Sequence, residues 1–169
     1  MEGFVDDMSP GHVGAPVKRQ EDLRLLTGRA RYIADIDLPG MLEAVFVRSP
    51  VAHAEIRRID LEPARAMRGV HAIVTSADLQ GMSPFPDNLK MARGVSQFPL
   101  AVDRVRYAGT PVATVVADDR FLAVDASEAV TVDYEPLPVV SSVEESLAPG
   151  APLLYDDWPD NKLLELSRE

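Results

Sequence analysis

The segment from Asp103 to Tyr134 constrains the fold more than any other, because turn, strand and helix signals follow one another closely in it. Val112–Ala117 is an apolar run of strand length, rich in β-branched residues, which predicts a strand buried on both faces. Gly109 precedes the run and suits a tight turn, since glycine adopts positive φ without strain. Asp118 and Asp119 follow the run, and either carboxylate could accept the free N–H groups at the start of a helix.

Two hydrophobic periods define the end of this segment. Leu122, Ala126, Ala129 and Val130 form one stripe of a helix, and the two alanines allow that helix to lie close to a sheet. Residues 130, 132 and 134 then alternate with polar residues, which is typical of a half-buried strand. The segment therefore predicts a strand, a helix and a second strand.

The rest of the chain predicts further short elements separated by proline and glycine. Strands are predicted at 41–47, 54–60 and 70–75, a short helix at 63–68, and helical turns at 23–26 and 143–147. In the strand at 70–75, Val70, Ala72 and Val74 are predicted to lie on one face. The irregular order indicates the α+β class, with a mixed sheet and with one long and one short helix.

Three regions are predicted along the chain. Residues 1–16 are rich in glycine, proline and aspartate and indicate a flexible lead-in. Residues 17–148 carry the periodic segments and form the predicted domain. Residues 149–169 form a tail.

Charge and composition exclude several classes of function. The 169 residues include no cysteine, which excludes disulfides and cysteine-ligated zinc or iron–sulfur clusters within this chain. The net charge of −10 arises in residues 118–169, with 13 acidic and 3 basic side chains, whereas residues 1–117 hold 14 of each. Nucleic-acid binding is therefore disfavoured. The acidic part is either a solvated face or, alternatively, a surface that docks on a basic partner.

Two further features of the sequence bear on where the protein is expected to be located. No apolar run reaches the length that crosses a bilayer, so no membrane span is predicted. The first residues lack a basic region followed by an apolar segment, so no secretory signal is visible. A cytoplasmic location is the simplest expectation.

No catalytic, cofactor-binding or metal-binding residue is predicted. His12, His53 and His71 lie far apart, and none has a carboxylate or histidine at helical metal-site spacing. Nucleophile-elbow, phosphate-loop and dinucleotide-binding motifs are absent from the sequence. The paired acids, such as Asp118–Asp119 and Asp156–Asp157, are sequence neighbours and indicate helix caps and solvated turns.

Two motifs carry a resemblance to a known family. The stretches VRYAGTPVATVVADDRFLAVDASEAVTVDYEPLP and LPGMLEAVFVRSPVAHA resemble the molybdenum hydroxylases, which include aldehyde oxidases, xanthine dehydrogenases and aerobic carbon monoxide dehydrogenases. The resemblance runs from Gly14 to Glu169. It implies the α/β-hammerhead domain, at the N-terminus of the molybdopterin-binding large subunit, of the kind found in carbon monoxide dehydrogenase large chains. The family often has Glu or Gln in place of Thr110 and His in place of Glu43, so contacts of those longer side chains are altered here.

The resemblance also implies a function and its partners. We expect a structural, non-catalytic domain of an oxidoreductase that acts on aldehydes, on purines or other N-heterocycles, or on carbon monoxide. The complete enzyme is expected to use molybdopterin–molybdenum, 2Fe-2S clusters and FAD, none of them bound by this chain alone. The expected partners are the remaining molybdopterin-binding domains and the iron–sulfur and FAD subunits or domains. The alternative is an independent binding or assembly module that keeps the fold without the enzyme.

Four apolar side chains are candidates for the interface with those partners. Phe85 and Met91 lie in the long irregular loop 81–98, and Trp158 and Leu163 lie in the tail. None belongs to a periodic pattern, and exposed apolar groups of this kind usually mark an interface. The tail is expected to lead toward the molybdopterin-binding domains, so that the chain is one piece of a longer polypeptide or the product of a split gene.

Overall fold

A computed structural model describes residues 19–85, 95 and 97–164, and the chain divides into two units, Met1–Gly40 and Met41–Glu169. The described part of the first unit contains helix α1 (Asp22–Leu26) and a 3-10 turn at Ile33–Asp35. Gly28 follows α1 with a φ of 67°, the left-handed conformation that commonly ends a helix. The domain boundaries predicted at residues 16 and 148 stay predictions.

The second unit contains the two sheets. Its elements, in chain order, are β1 (Glu43–Arg48), β2 (Ala54–Asp60), α2 (Glu62–Arg65), β3 (Val70–Thr75), a 3-10 turn (Ser76–Leu79), β4 (Arg104–Val105), β5 (Pro111–Ala117), α3 (Arg120–Ala129), β6 (Thr131–Pro136) and α4 (Val143–Leu147).

The predicted α+β class is confirmed, but the strands form two sheets where one mixed sheet was expected. The first sheet has the order β1-β5-β3, the second has the order β4-β2-β6, and each pairing in both is antiparallel. The expectation was wrong on this point because α3 carries the chain from one sheet to the other. Strands β5 and β6 are therefore not neighbours, although a strand, a helix and a strand follow in sequence. The long helix is α3, and α1, α2 and α4 are short.

The main core lies between α3 and the first sheet. Ala113 and Val115 of β5 and Ala126 of α3 are fully buried in one cluster. Of the two aspartates before α3, Asp119 is the cap, because its Oδ1 accepts a hydrogen bond from the Leu122 amide at 2.9 Å. Ala123, which is absent from the predicted stripe, is also fully buried.

The prediction that Val70, Ala72 and Val74 lie on one face of β3 is wrong, because Val70 packs against the main core and Ala72 does not. Ile73 and Thr75 are buried, whereas Ala72 is exposed. A β-bulge is the physical reason: Val70 pairs with Ala117 and Ala72 pairs with Val116, so one strand has an extra residue, His71. An extra residue shifts the alternation of side chains by one position.

A second, smaller cluster joins the two sheets. Ala54 of β2, Val105 of β4 and Val112 of β5 are fully buried in it, and Val132 of β6 packs against both clusters. The start of β5 therefore anchors the second sheet. None of the helices in the described ranges is long and apolar enough to cross a membrane.

Candidate functional site

An open groove of about 880 Å³ lies at one end of the second unit. Its walls come from three parts of the sequence: Phe85, the stretch that leads from Gln97 through β4 to the start of β5, and the tail. The lining residues are Phe85, residues 97–104, Arg106, Tyr107, Thr110, Pro111, Leu154, Tyr155, Asp157 and Trp158. We call it the tail groove, and we use the word tail for residues 149–164 of the described chain.

Arg104 fastens the tail to the second sheet. Its Nη1 lies 3.0 Å from Oδ2 of Asp156, and its Nη2 lies 3.4 Å from Oε1 of Glu55 on β2. The Arg104 side chain is only 15% exposed, so its charge is held between two carboxylates at the base of the tail. The hydrogen bond from Arg104 and its positive charge hold the pKa of Asp156 below its usual range.

Arg106 holds the same part of the tail by two different contacts. Its Nε donates a hydrogen bond to the Leu154 carbonyl oxygen at 3.2 Å. Its guanidinium carbon lies 4.6 Å from the centroid of the Tyr155 ring, a cation–π distance. Tyr155 in turn stacks on Trp158, so the cation and the two rings form one layered wall.

Asn161 closes the tail into a compact loop. Its Oδ1 accepts a hydrogen bond from the Leu154 amide at 2.9 Å, and its Nδ2 donates to the carbonyl oxygens of Pro152 and Ser146. One amide side chain thereby satisfies three backbone groups that no strand or helix would satisfy. The tail wall is thus held by side-chain hydrogen bonds and ion pairs.

Thr110 shapes the turn at the other side of the tail groove. Its Oγ1 donates to the Tyr107 carbonyl oxygen at 2.6 Å and lies 3.3 Å from the Tyr107 amide. Gly109, within that turn, has a φ of 96°, as its position before the strand predicted. The short hydroxyl side chain therefore makes a local contact that a longer Glu or Gln could not make in the same way.

The structure brings together two of the four predicted interface residues. Phe85 and Trp158 both line the tail groove, with Phe85 55% exposed and Trp158 half-buried. Leu163 is half-buried and does not line the groove. Met91 lies outside the described residues. The assignment of these side chains to an interface stays a prediction.

The groove contains residues that sequence reasoning missed. Arg104 and Tyr155 belong to no motif, Arg106 was quoted only within a stretch that resembles the family, and Asp156, which binds Arg104 beside the groove, was expected only as part of a solvated turn. The alternation of Arg104 and Arg106 around the buried Val105 is the one local signal of an ordered strand. Their pairing with a tail 50 residues later leaves no trace in sequence spacing.

The histidines are placed in ordinary structural roles. His53 is 7% exposed, and its Nδ1 lies 2.8 Å from the carbonyl oxygen of Pro138. His71 Nε2 lies 2.6 Å from Oδ1 of Asp118. His12 lies outside the described residues. Within the described ranges, no cluster of three or more His, Cys, Asp or Glu side chains could hold a metal ion.

Comparisons with known proteins agree on one family. The family model described as "Aldehyde oxidase and xanthine dehydrogenase, a/b hammerhead domain" matches residues 27–138. The carbon monoxide dehydrogenase large chain of Afipia carboxidovorans is 44% identical over 88% of this chain and 18% of its own length. The nicotine 6-hydroxylase large subunit of Paenarthrobacter nicotinovorans is 43% identical over the same shares.

A solved structure gives the same result for the fold. The carbon-monoxide-reduced crystal structure of Cu,Mo-CO dehydrogenase matches with a TM-score of 0.72 and 44% identity. The match covers 89% of this chain and 19% of the solved chain. The chain thus spans about a fifth of the length of the relatives that it matches.

Proposed function

The chain belongs to the aldehyde oxidase and xanthine dehydrogenase family, as its a/b hammerhead domain, and on that premise we propose that it is a structural, non-catalytic domain of a molybdenum hydroxylase large subunit. Its role is to hold the molybdopterin-binding part of that subunit in place. The tail groove is the contact surface for that part. A cytoplasmic location stays a prediction.

One observation carries the proposal: Phe85 and Trp158, which are distant in sequence, lie on the same open groove. An apolar side chain that is 55% exposed in a groove is available for contact with another polypeptide. The wall that the tail forms, which carries Trp158, is already ordered by contacts with Arg104, Arg106 and Asn161. A preformed surface loses little conformational entropy when a partner binds, which favours a docking role.

The groove does not fit a molybdenum–pterin cofactor. Among the described residues that line it, the two cationic side chains already make contacts within the chain, Arg104 with Asp156 and Glu55, and Arg106 with Leu154 and Tyr155. The charge of Arg104 is therefore compensated by two carboxylates and Arg106 is fixed against the tail, so the described lining offers a pterin phosphate no pair of uncommitted cationic side chains. We therefore assign no step of the redox reaction to this chain, and we propose that molybdopterin, 2Fe-2S clusters and FAD belong to the other domains and subunits of the complete enzyme.

Removal and resupply of the domain test this function. A complete large chain is compared with one that lacks these 169 residues, and the molybdenum bound per chain is measured in each. The structural role predicts that molybdenum loading falls to background after the deletion and recovers when the domain is coexpressed as a separate chain. Equal loading and turnover without the domain would contradict it, and would favour the alternative, an independent assembly module.

A further inference from the structure

The first sheet has a face of uncharged side chains, three of which are exposed to solvent and three half-buried. Residues that pair directly across neighbouring antiparallel strands have their side chains on the same face of the sheet. Six paired residues of the first sheet share one face in this way: Ala44 and Phe46 of β1, Val116 and Thr114 of β5, and Ala72 and Val74 of β3. We call these six side chains the outer face. Five of them are apolar, and the sixth is threonine.

The two faces of this sheet differ in their cover. On the inner face, Val47, Ala113 and Ile73 are buried under α3. On the outer face, Phe46 is 46% exposed and Ala44 and Ala72 are exposed. An antiparallel sheet with one face in water normally places polar residues on that face. The apolar composition of the outer face is instead typical of a sheet face that is covered by a second layer of protein.

One edge of the outer face carries a charged side chain that is fixed in position. Arg48 follows Phe46 on the same side of β1, and its guanidinium carbon lies 5.4 Å from the centroid of the Phe46 ring. The Arg48 Nη1 also donates a hydrogen bond to the Gly109 carbonyl oxygen at 2.9 Å. Protein–protein interfaces commonly have an apolar centre with polar or charged residues at its edge, and the outer face with Arg48 beside it has this arrangement.

We infer that the outer face is a second docking surface, covered by an apolar layer from the remainder of the same large-subunit polypeptide. Two observations select this occupant. The matched relatives place about four fifths of their length outside the region that this chain spans, so the same polypeptide offers far more surface than the domain itself. The six side chains carry no charge, and interfaces of that composition are typical of permanent contacts, whereas contacts with separable partners are more polar. This inference rests on the proposed function.

Hydroxyl-radical footprinting of Phe46 tests the inference, because it can be applied to the complete and assembled enzyme. Oxidation of Phe46 is measured in the 169-residue chain, in the complete large chain without partner subunits, and in the assembled enzyme. We expect Phe46 to be oxidised readily in the short chain and about fivefold or more slowly in the complete large chain, with no further change on assembly, because a buried ring is shielded from solvent. Phe121, which is 83% exposed on α3, is the control ring within the same molecule.

Three outcomes would overturn the inference. Protection of Phe46 in the short chain would mean that the chain covers its own outer face. Protection that begins only on assembly would assign the face to a separate subunit, and equal oxidation in all three samples would leave the face uncovered.

A pair of variants provides an independent readout. Phe46→Glu in the complete large chain should lower the yield of assembled enzyme about tenfold, since it places a charge in an apolar contact, whereas Phe121→Glu should leave the yield unchanged. An unchanged yield for Phe46→Glu would overturn the inference. If the outer face fails these tests while deletion of the whole domain still abolishes molybdenum loading, this inference falls and the proposed function stands.

Discussion

The ring of Trp158 stacks on the ring of Tyr155, with their centroids 4.3 Å apart and their planes inclined by 22°. Because Arg106 lies on the same tyrosine, the only tryptophan in the chain is tied to the strand region that forms the other wall of the tail groove. The indole is therefore a natural probe of whether the tail is fastened.

Low pH should break the ion pair between Arg104 and Asp156 and thereby loosen the tail. The pKa of Asp156 is held low by Arg104, so the contribution of this pair is fully present above the ordinary aspartate pKa of about 3.9 and is lost as the pH falls through the lower folded value. We expect Trp158 fluorescence to change below about pH 4 for that reason. A fluorescence titration from pH 7 downward measures it.

Two neighbouring variants separate this step from general acid unfolding. Asp156→Asn should show altered Trp158 fluorescence already at neutral pH and should lose the acid step, because the ion pair is absent at each pH. Asp157→Asn, at the adjacent position, should keep the step. If both variants titrate like the unmodified chain, Arg104 and Asp156 do not hold the tail.

A charge beneath α3 should unfold the second unit. Ala126 is fully buried against the first sheet, so Ala126→Glu places a carboxylate where it has neither water nor a partner. The cost is several kcal/mol, roughly half or more of the 5–15 kcal/mol that stabilises an ordinary domain. Val124→Glu, on the same helix at a position 37% exposed, should change the melting temperature by only a few degrees. Similar melting curves for the two variants would contradict the packing of α3.

Gly69 should tolerate a side chain less well than Gly150. Both have positive φ, 90° and 78°, so alanine costs roughly 1–2 kcal/mol of backbone strain at either position. At Gly69 an added Cβ would also lie 2.6 Å from Oδ2 of Asp118 and 2.7 Å from Cδ2 of Leu122, whereas at Gly150 nothing lies within 4 Å. Both atoms are ends of flexible side chains that can rotate aside, so Gly69→Ala should cost only about 0.5–1.5 kcal/mol more in urea unfolding than Gly150→Ala. Equal losses of stability for the two variants would mean that the side chains of Asp118 and Leu122 move aside without cost.

The purified chain should contain neither metal nor flavin. In the described lining of the tail groove, Arg104 is paired with carboxylates and Arg106 is fixed against Leu154 and Tyr155, so an anionic cofactor finds no pair of uncommitted cationic side chains there. Elemental analysis should find molybdenum and iron far below one atom per chain, and the absorption spectrum should lack a flavin band. Stoichiometric metal or a flavin band would contradict the assignment of the cofactors to other domains.

Local chemistry made part of this fold predictable from sequence. The run Val112–Ala117 became β5, and a carboxylate just after it became the cap of α3, because both depend on neighbours within a few residues. The buried face of β3 was not predictable in this way. The bulge at His71 depends on how β3 pairs with β5, which no pattern within β3 records.

The candidate site shows the same division. Phe85 and Trp158 could be singled out because their apolar side chains fit no periodic pattern. The polar contacts that order the groove join Arg104 and Arg106 to the tail across some 50 residues of sequence. Such pairs depend on where the chain folds the tail back beside β4, so they became visible only in the folded chain.

As proposed, this domain supports the enzyme by docking and takes no part in the chemistry. Its most direct test is Trp158→Ala in the complete enzyme, with the yield of molybdenum-loaded enzyme and the kcat per bound molybdenum measured separately. We expect the yield to fall while kcat per molybdenum stays at the level of the unmodified enzyme. A full yield of loaded enzyme with a lowered kcat per molybdenum would contradict it, because the tail groove would then act on the reaction itself.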